Sequence, residues 1–183
     1  MTRLFCLAFS ALLLLTGAPA QAEDTGGALK GGDLDAVANE AAEADKGSGL
    51  PLPRFASLKS DNVYVRTGPS MDYPIKWIYK REGLPVEIIQ EFDSWRKIKD
   101  PSGEVGWAHK ILLSGRRTAE ITESGTMAYD DKDMEKAAVK FDKGVFVHVE
   151  ECEKLVCRVQ FAPYEGWIEK KSLWGVYGSD IFN

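Results

Sequence analysis

From Pro53 onward, apolar residues come in short runs that alternate with polar ones, and Gly, Pro, Asp and Ser separate the runs. The alternation has the two-residue period of a strand. It predicts strands at Phe55–Leu58, Asn62–Arg66, Lys76–Lys80, Pro85–Glu91, Trp95–Lys99 and Gly103–His109, with a terminal strand at Ile111–Leu113. Turn signals recurring at roughly 8–12 residues mark an all-β sandwich or barrel. The most helix-like stretch in the remainder is Met134–Phe141. The pattern then repeats. Gly83-Leu84-Pro85-Val86-Glu87-Ile88 answers to Gly144-Val145-Phe146-Val147-His148-Val149, and Trp95-Arg96-Lys97-Ile98 answers to Val156-Cys157-Arg158-Val159. Gly106-Trp107 answers to Gly166-Trp167, so a unit of about 60 residues occurs twice between Pro53 and the chain end.

The chain before Pro53 has a different character. Residues 1–22 carry Arg3, an apolar run from Leu4 to Leu15 broken by Ser10, and the small-residue segment Ala18-Pro19-Ala20-Gln21-Ala22. This is the layout of a secretory signal peptide, cut after Ala20 or Ala22, and its apolar run falls short of the about 20 residues that span a bilayer. Cys6 lies at the start of the apolar run rather than after it, where a lipidated cysteine must lie. Residues 23–52 hold seven acids against two lysines and no aromatic residue. Such a stretch buries too little apolar surface to offset its ordering entropy and reads as a disordered acidic Gly/Ala-rich spacer.

An exported chain meets an oxidising compartment, where the remaining pair, Cys152 and Cys157, is expected to form a disulfide across a tight hairpin. The expected localisation is periplasmic or secreted. The net charge of −5 argues against a nucleic-acid binder, and nothing beyond the short signal could cross a membrane. Enzyme activity, a cofactor and a metal are not expected. The disulfide uses the cysteines a thiol nucleophile would need, and His109 and His148 are too few for a zinc site. Asp131-Lys132-Asp133-Met134-Glu135 starts like a calcium loop. It then has Lys136 where that loop needs Gly and Asp142 where it needs Glu.

Asn62-Val63-Tyr64-Val65-Arg66-Thr67-Gly68-Pro69-Ser70, Gly83 with its following strand, Asp93-Ser94-Trp95-Arg96-Lys97-Ile98, Gly106-Trp107 and Leu112-Leu113 together resemble the bacterial SH3-like domain over residues 55–115. Tyr73-Pro74-Ile75-Lys76-Trp77, the paired cysteines and Leu173-Trp174-Gly175-Val176-Tyr177 further resemble exported proteins that carry two such domains in tandem. The resemblance implies two small SH3-like β-barrels, at 53–117 and 118–183. The second is degenerate, because the segment around Ser124-Gly125-Thr126-Met127-Ala128-Tyr129 lacks the Arg-x-Gly-Pro-Ser element. It also implies a binding module for cell-envelope material, either peptidoglycan peptide or glycan or a protein partner. The alternative is a structural accessory subunit that assembles with an envelope enzyme and binds no wall ligand. In SH3-like barrels the opening loop edges the ligand groove, which makes Tyr64, Arg66, Tyr73 and Trp77 the candidate ligand contacts. Trp95, Trp107 and Trp167 are expected in the cores.

Charge and tail composition add one expectation about assembly. Residues 53–117 carry twelve Lys/Arg against eight Asp/Glu, and residues 118–183 carry eight against thirteen, giving +4 and −5. With the apolar tail Trp174-Gly175-Val176-Tyr177 and Ile181-Phe182, this predicts that the halves dock and that Trp174 is largely buried.

Overall fold

The computed structural model describes residues 47–183. The expected signal peptide, residues 1–22, and most of the expected acidic spacer lie outside the described residues. Fourteen strands follow in chain order among the described residues: β1 Arg54–Leu58, β2 Val63–Arg66, β3 Ile75–Tyr79, β4 Pro85–Phe92, β5 Trp95–Lys99, β6 Val105–His109, β7 Leu113–Ser114, β8 Thr118–Ile121, β9 Thr126–Tyr129, β10 Ala137–Phe141, β11 Phe146–Cys152, β12 Val156–Phe161, β13 Tyr164–Glu169 and β14 Leu173–Trp174. They form two seven-stranded sheets, ordered β3-β2-β6-β5-β4-β1-β7 and β10-β9-β13-β12-β11-β8-β14. The second order is the first shifted by seven strands, so the two halves share one topology, and the fold is all-β.

Each sheet curls around its own core. In the first, Val63, Val65 and Trp77 from one end of the strand order pack in the same cluster as Ala56, Leu58 and Leu113 from the other. In the second, Ala128, Val139 and Phe141 meet Ala119, Ile121 and Leu173. Bulges at matching places supply curvature, with register shifts between Ile88 and Gln90 opposite β5 and between Val149 and Glu151 opposite β12. Gly106 and Gly166 permit the close strand approach that a tight curl demands. A Cβ on Gly106 would lie 2.3 Å from Val65 Cγ1, and one on Gly166 2.9 Å from the Tyr129 carbonyl oxygen.

Several sequence expectations need correction. Met134–Phe141 is not helical. Met134 takes a left-handed φ of 61°, and Ala137–Phe141 is strand β10, paired with β9. Good helix formers occupy Glu135 to Ala138, but burying Phe141 and Val139 in the second core requires two-residue alternation, and packing overrides propensity. The expected terminal strand Ile111–Leu113 is a 3-10 turn, Lys110–Leu112, followed by the short β7. Trp95 and Trp107 are buried but stand outside the first core cluster, Trp107 as the register partner of Arg66, and Trp167 is only half-buried.

Cys152 and Cys157 are register partners on β11 and β12 and form the disulfide, with Cα atoms 4.1 Å apart. Both are fully enclosed in the second core. The closed loop is short, so reduction should lower stability by only about 2 kcal/mol. Alkylation of unreduced protein should leave both cysteines unmodified, and thermal melts with and without reductant should show the modest difference.

The two halves are docked through the chain end. Phe55 of β1 lies edge-on to Trp174 at 5.0 Å and meets the Tyr177 ring at 4.6 Å. The Tyr177 hydroxyl donates to Glu87 Oε1 on β4 at 2.9 Å. Burial and the Glu87 charge both push the Tyr177 hydroxyl well above the usual phenol range. Arg81 of the first half stacks on Phe146 of the second at 3.7 Å, and within the first half the Ser57 hydroxyl holds the start of the connection by donating to the Arg116 carbonyl at 2.9 Å. Trp174 is half-buried rather than largely buried, with Phe55 packed against it in a T-shaped pair. Val176, by contrast, joins the second core, and Phe182 forms an antiparallel bridge with Cys152.

Candidate functional site

Strand β2 alternates cleanly. Val63 and Val65 are fully buried, which turns Tyr64 and Arg66 to the outer face. Tyr64 is 45% exposed, and its register partner on β3, Ile78, is exposed as well. Arg66 stands opposite Ile75, and its guanidinium Nη1 donates to the Tyr73 carbonyl at 2.6 Å. The loop between β2 and β3 is tied to itself. Thr67 N–H donates to the Pro74 carbonyl at 3.1 Å, and the Ser70 hydroxyl donates to Asp72 Oδ2 at 2.9 Å. The Tyr73 ring lies on Gly68, where any Cβ would approach the ring to 2.6 Å.

The four predicted ligand contacts therefore divide. Arg66 and Tyr73 are joined directly, and Tyr64 shares their face two residues along β2. Trp77 does not join them. As the register partner of Val65 it turns inward, packs against the first core and meets the Tyr79 ring edge-on at 5.9 Å. Lys76 Nζ lies 4.6 Å from the Trp77 ring centre. Tyr79 is anchored by donating to Asp100 Oδ2 at 2.8 Å, and burial followed by that carboxylate raises its hydroxyl above the usual phenol range.

Three further residues belong to this surface and were not singled out from the sequence. Met71, Ile75 and Ile78 are exposed beside Tyr64 and Tyr73, and together they give the hairpin an apolar outer face around the Arg66 charge. The signal was present in β3. Trp77 and Tyr79 fill its inward positions, so the alternating Ile78 must face out. The second half lacks the combination. Its topology places Met127 where the first half has Tyr64, Tyr129 for Arg66 and Val139 for Trp77. Without an arginine at that position, the second half has no guanidinium to hold its β9–β10 connection as Arg66 holds the loop before β3.

His109 and His148 sit on different sheets. His109 Nδ1 accepts from Ile111 N–H at 3.4 Å and caps the 3-10 turn, while its ring meets Trp95 edge-on. His148 lies in one of two clefts along the junction of the halves. The larger cleft, of 590 Å³, is lined by Phe55, Ile88, Leu113, Tyr177 and charged residues, and the other has a volume of 510 Å³.

The family model described as "Bacterial SH3 domain" matches residues 59–115, which run from the end of β1 to just past β7 and include the whole β2–β3 surface. No curated protein matches the chain. Among solved structures, NlpC2 and NlpC1 from Trichomonas vaginalis are both similar at 12% identity with a TM-score of 0.32. The alignments cover 69% and 72% of this chain and 49% of each of those chains, so the chain spans about half their length.

Proposed function

We propose that this chain, which carries a bacterial SH3 domain at residues 59–115, is an exported, non-enzymatic binding module that recognises cell-envelope material through the outer face of the β2–β3 hairpin. The observation that carries the reading is the exposed set Tyr64, Tyr73, Ile75 and Ile78 around Arg66, on a face turned away from the core. Amphipathic rings there stack on a sugar or peptide, while the guanidinium orients the polar part of the ligand. The ligand is peptidoglycan, its peptide or its glycan, or an envelope protein segment. The Cys152–Cys157 disulfide supports export, because such bridges persist in oxidising compartments. Among the described residues, no helix is long and apolar enough to cross a membrane.

Co-sedimentation with purified peptidoglycan tests the reading. The chain should be retained, and Tyr64→Ala with Tyr73→Ala should weaken retention more than about tenfold, as for aromatic anchors at an interface centre. Trp77→Ala should instead lower the melting temperature. A parent chain that stays wholly in the supernatant would remove wall material as the ligand.

A further inference from the structure

The 510 Å³ cleft lies between the halves, away from the β2–β3 face, and its lining is polar and basic. Lys59, Arg81 and Arg116 line it against one acid, Glu82, an excess of two positive charges in the lining itself; Glu120, the register partner of Phe146, lies outside that lining. None of the three cations makes an ion pair among the described residues. Two of them are held in place without losing their charge. The Arg81 guanidinium is stacked on Phe146, which leaves its in-plane N–H edge free. The Arg116 backbone is fixed on both sides, its carbonyl by the Ser57 hydroxyl at 2.9 Å and its N–H by Ser114 Oγ at 3.1 Å.

The floor of the cleft supplies a second, independent observation. Thr118 and His148 are register partners across β8 and β11, and both turn away from the second core, which Ala119, Val147 and Val149 fill. The first half covers them. Thr118 retains 8% of its exposure, yet its Oγ1 has no hydrogen-bond partner, and neither has the buried His148 Nδ1. Buried polar atoms are nearly always paired, so two orphans side by side under three cations identify a place where polar atoms of a ligand belong. Arg116 and His148 line the same cleft, and burial, then the Arg116 charge, favour the neutral form of His148 against the opposing pull of Glu150.

We propose that this cleft binds an oxyanion, a carboxylate or phosphate group, held by Arg81 and Arg116 at the rim and, at the floor, by donation from the Thr118 hydroxyl and from the Nδ1–H tautomer of His148. Planar guanidinium forks match both groups, and a cationic or neutral ligand would leave the excess charge unopposed. The site draws residues from both halves, so occupancy also holds the halves together. It is independent of the β2–β3 reading.

The test is an NMR titration of the full chain, following the imidazole signals of its two histidines at constant ionic strength. Inorganic phosphate and N-acetylalanine serve as separate probes. The His148 signal should move saturably while His109 stays fixed. Movement with phosphate alone, with the carboxylate alone or with both supports the site and states which oxyanion it takes. Arg116→Ala should weaken binding about tenfold, the loss expected for a charge-assisted contact. Thr118→Val should weaken it at least roughly threefold without lowering the ligand-free melting temperature, because Thr118 Oγ1 has no partner to lose and the apolar isostere removes an unpaired buried hydroxyl. An immobile His148 signal with both probes would overturn the proposal. So would equal movement of both histidines, or unchanged affinity in both variants.

Discussion

Deleting residues 174–183 should lower the melting temperature of the entire protein, in a single transition, by roughly 15 °C. The segment contributes Val176 to the second core, the Phe182 bridge to Cys152, and Trp174 and Tyr177 to the contact with Phe55 of the first sheet. At about 1.5–3 kcal/mol for a fully buried large side chain, and less for half-buried ones, the loss is about 5 kcal/mol. A domain of this size shifts by about 3–4 °C per kcal/mol. Lys170 would also lose its acceptors. Its buried ammonium donates to the Asp180 carbonyl, and to that of Gly178 at 3.3 Å. Because the aromatic cluster joins the sheets, Phe55→Ala should reproduce part of the loss from the opposite side. Calorimetry resolving two transitions, with the first half melting as in the parent, would show that the docked arrangement contributes nothing to stability.

Glu91→Ala should cost about 3–5 kcal/mol, the range for removing one partner of a buried ion pair. The Glu91 carboxylate lies between Arg54 and Arg96, with Arg96 Nε 2.9 Å from Oε1, and the side chains of Glu91 and Arg96 keep only 5% and 6% of their exposure. Ser48 closes the cage, donating from its backbone N–H and, at 2.9 Å, from its hydroxyl. Burial opposes the charged form, but the Ser48 hydrogen bonds and the Arg54 guanidinium outweigh it and hold the Glu91 carboxyl down at about 2. The folded value thus lies below the ordinary 4.5. The stabilisation is complete above about pH 4.5 and is lost as pH falls toward 2, and its size is on the order of 3 kcal/mol. Denaturant melts at stepped pH should show this acid-side decline in the parent, and Glu91→Gln should flatten it. An equal slope in both proteins would assign the acid sensitivity to other carboxylates.

The Glu91 cage also shows why part of the structure was hidden in the sequence. Ser48 belongs to a stretch whose composition reads as spacer, and nothing local marks it as different from its neighbours. Its partner is 43 positions away, and that pairing exists only after β4 and β5 have brought Glu91 and Arg96 to one place. The strands themselves were legible, because a half-buried strand must alternate and a tight curl must have glycine at the crossing. Gly106 and Gly166 announced both sheets 60 residues apart. Of the two segments misread, Ile111–Leu113 and Met134–Phe141, the second has helix-forming residues whose local preference was overruled by the place of Phe141 in the core.

For the candidate surface the division follows the same physics. The opening segment from Asn62 to Ser70 and the aromatic residues after it were enough to locate the hairpin, and Arg66 and Tyr73 do come together there. Which aromatic faces out is a matter of register. Val65 opposite Trp77 turns that indole inward, and Tyr64 opposite Ile78 leaves that phenol in solvent. The cleft at the junction was beyond sequence reasoning altogether, since Arg81, Arg116, Thr118 and His148 follow no motif and meet only because the halves dock. Sequence alone determined the all-β class, the repeated unit and the disulfide, since each rests on periodicity or spacing within a short stretch of chain. Only the tertiary structure decided the faces, the Glu91 cage and the polar cleft, since each depends on which distant strands lie side by side.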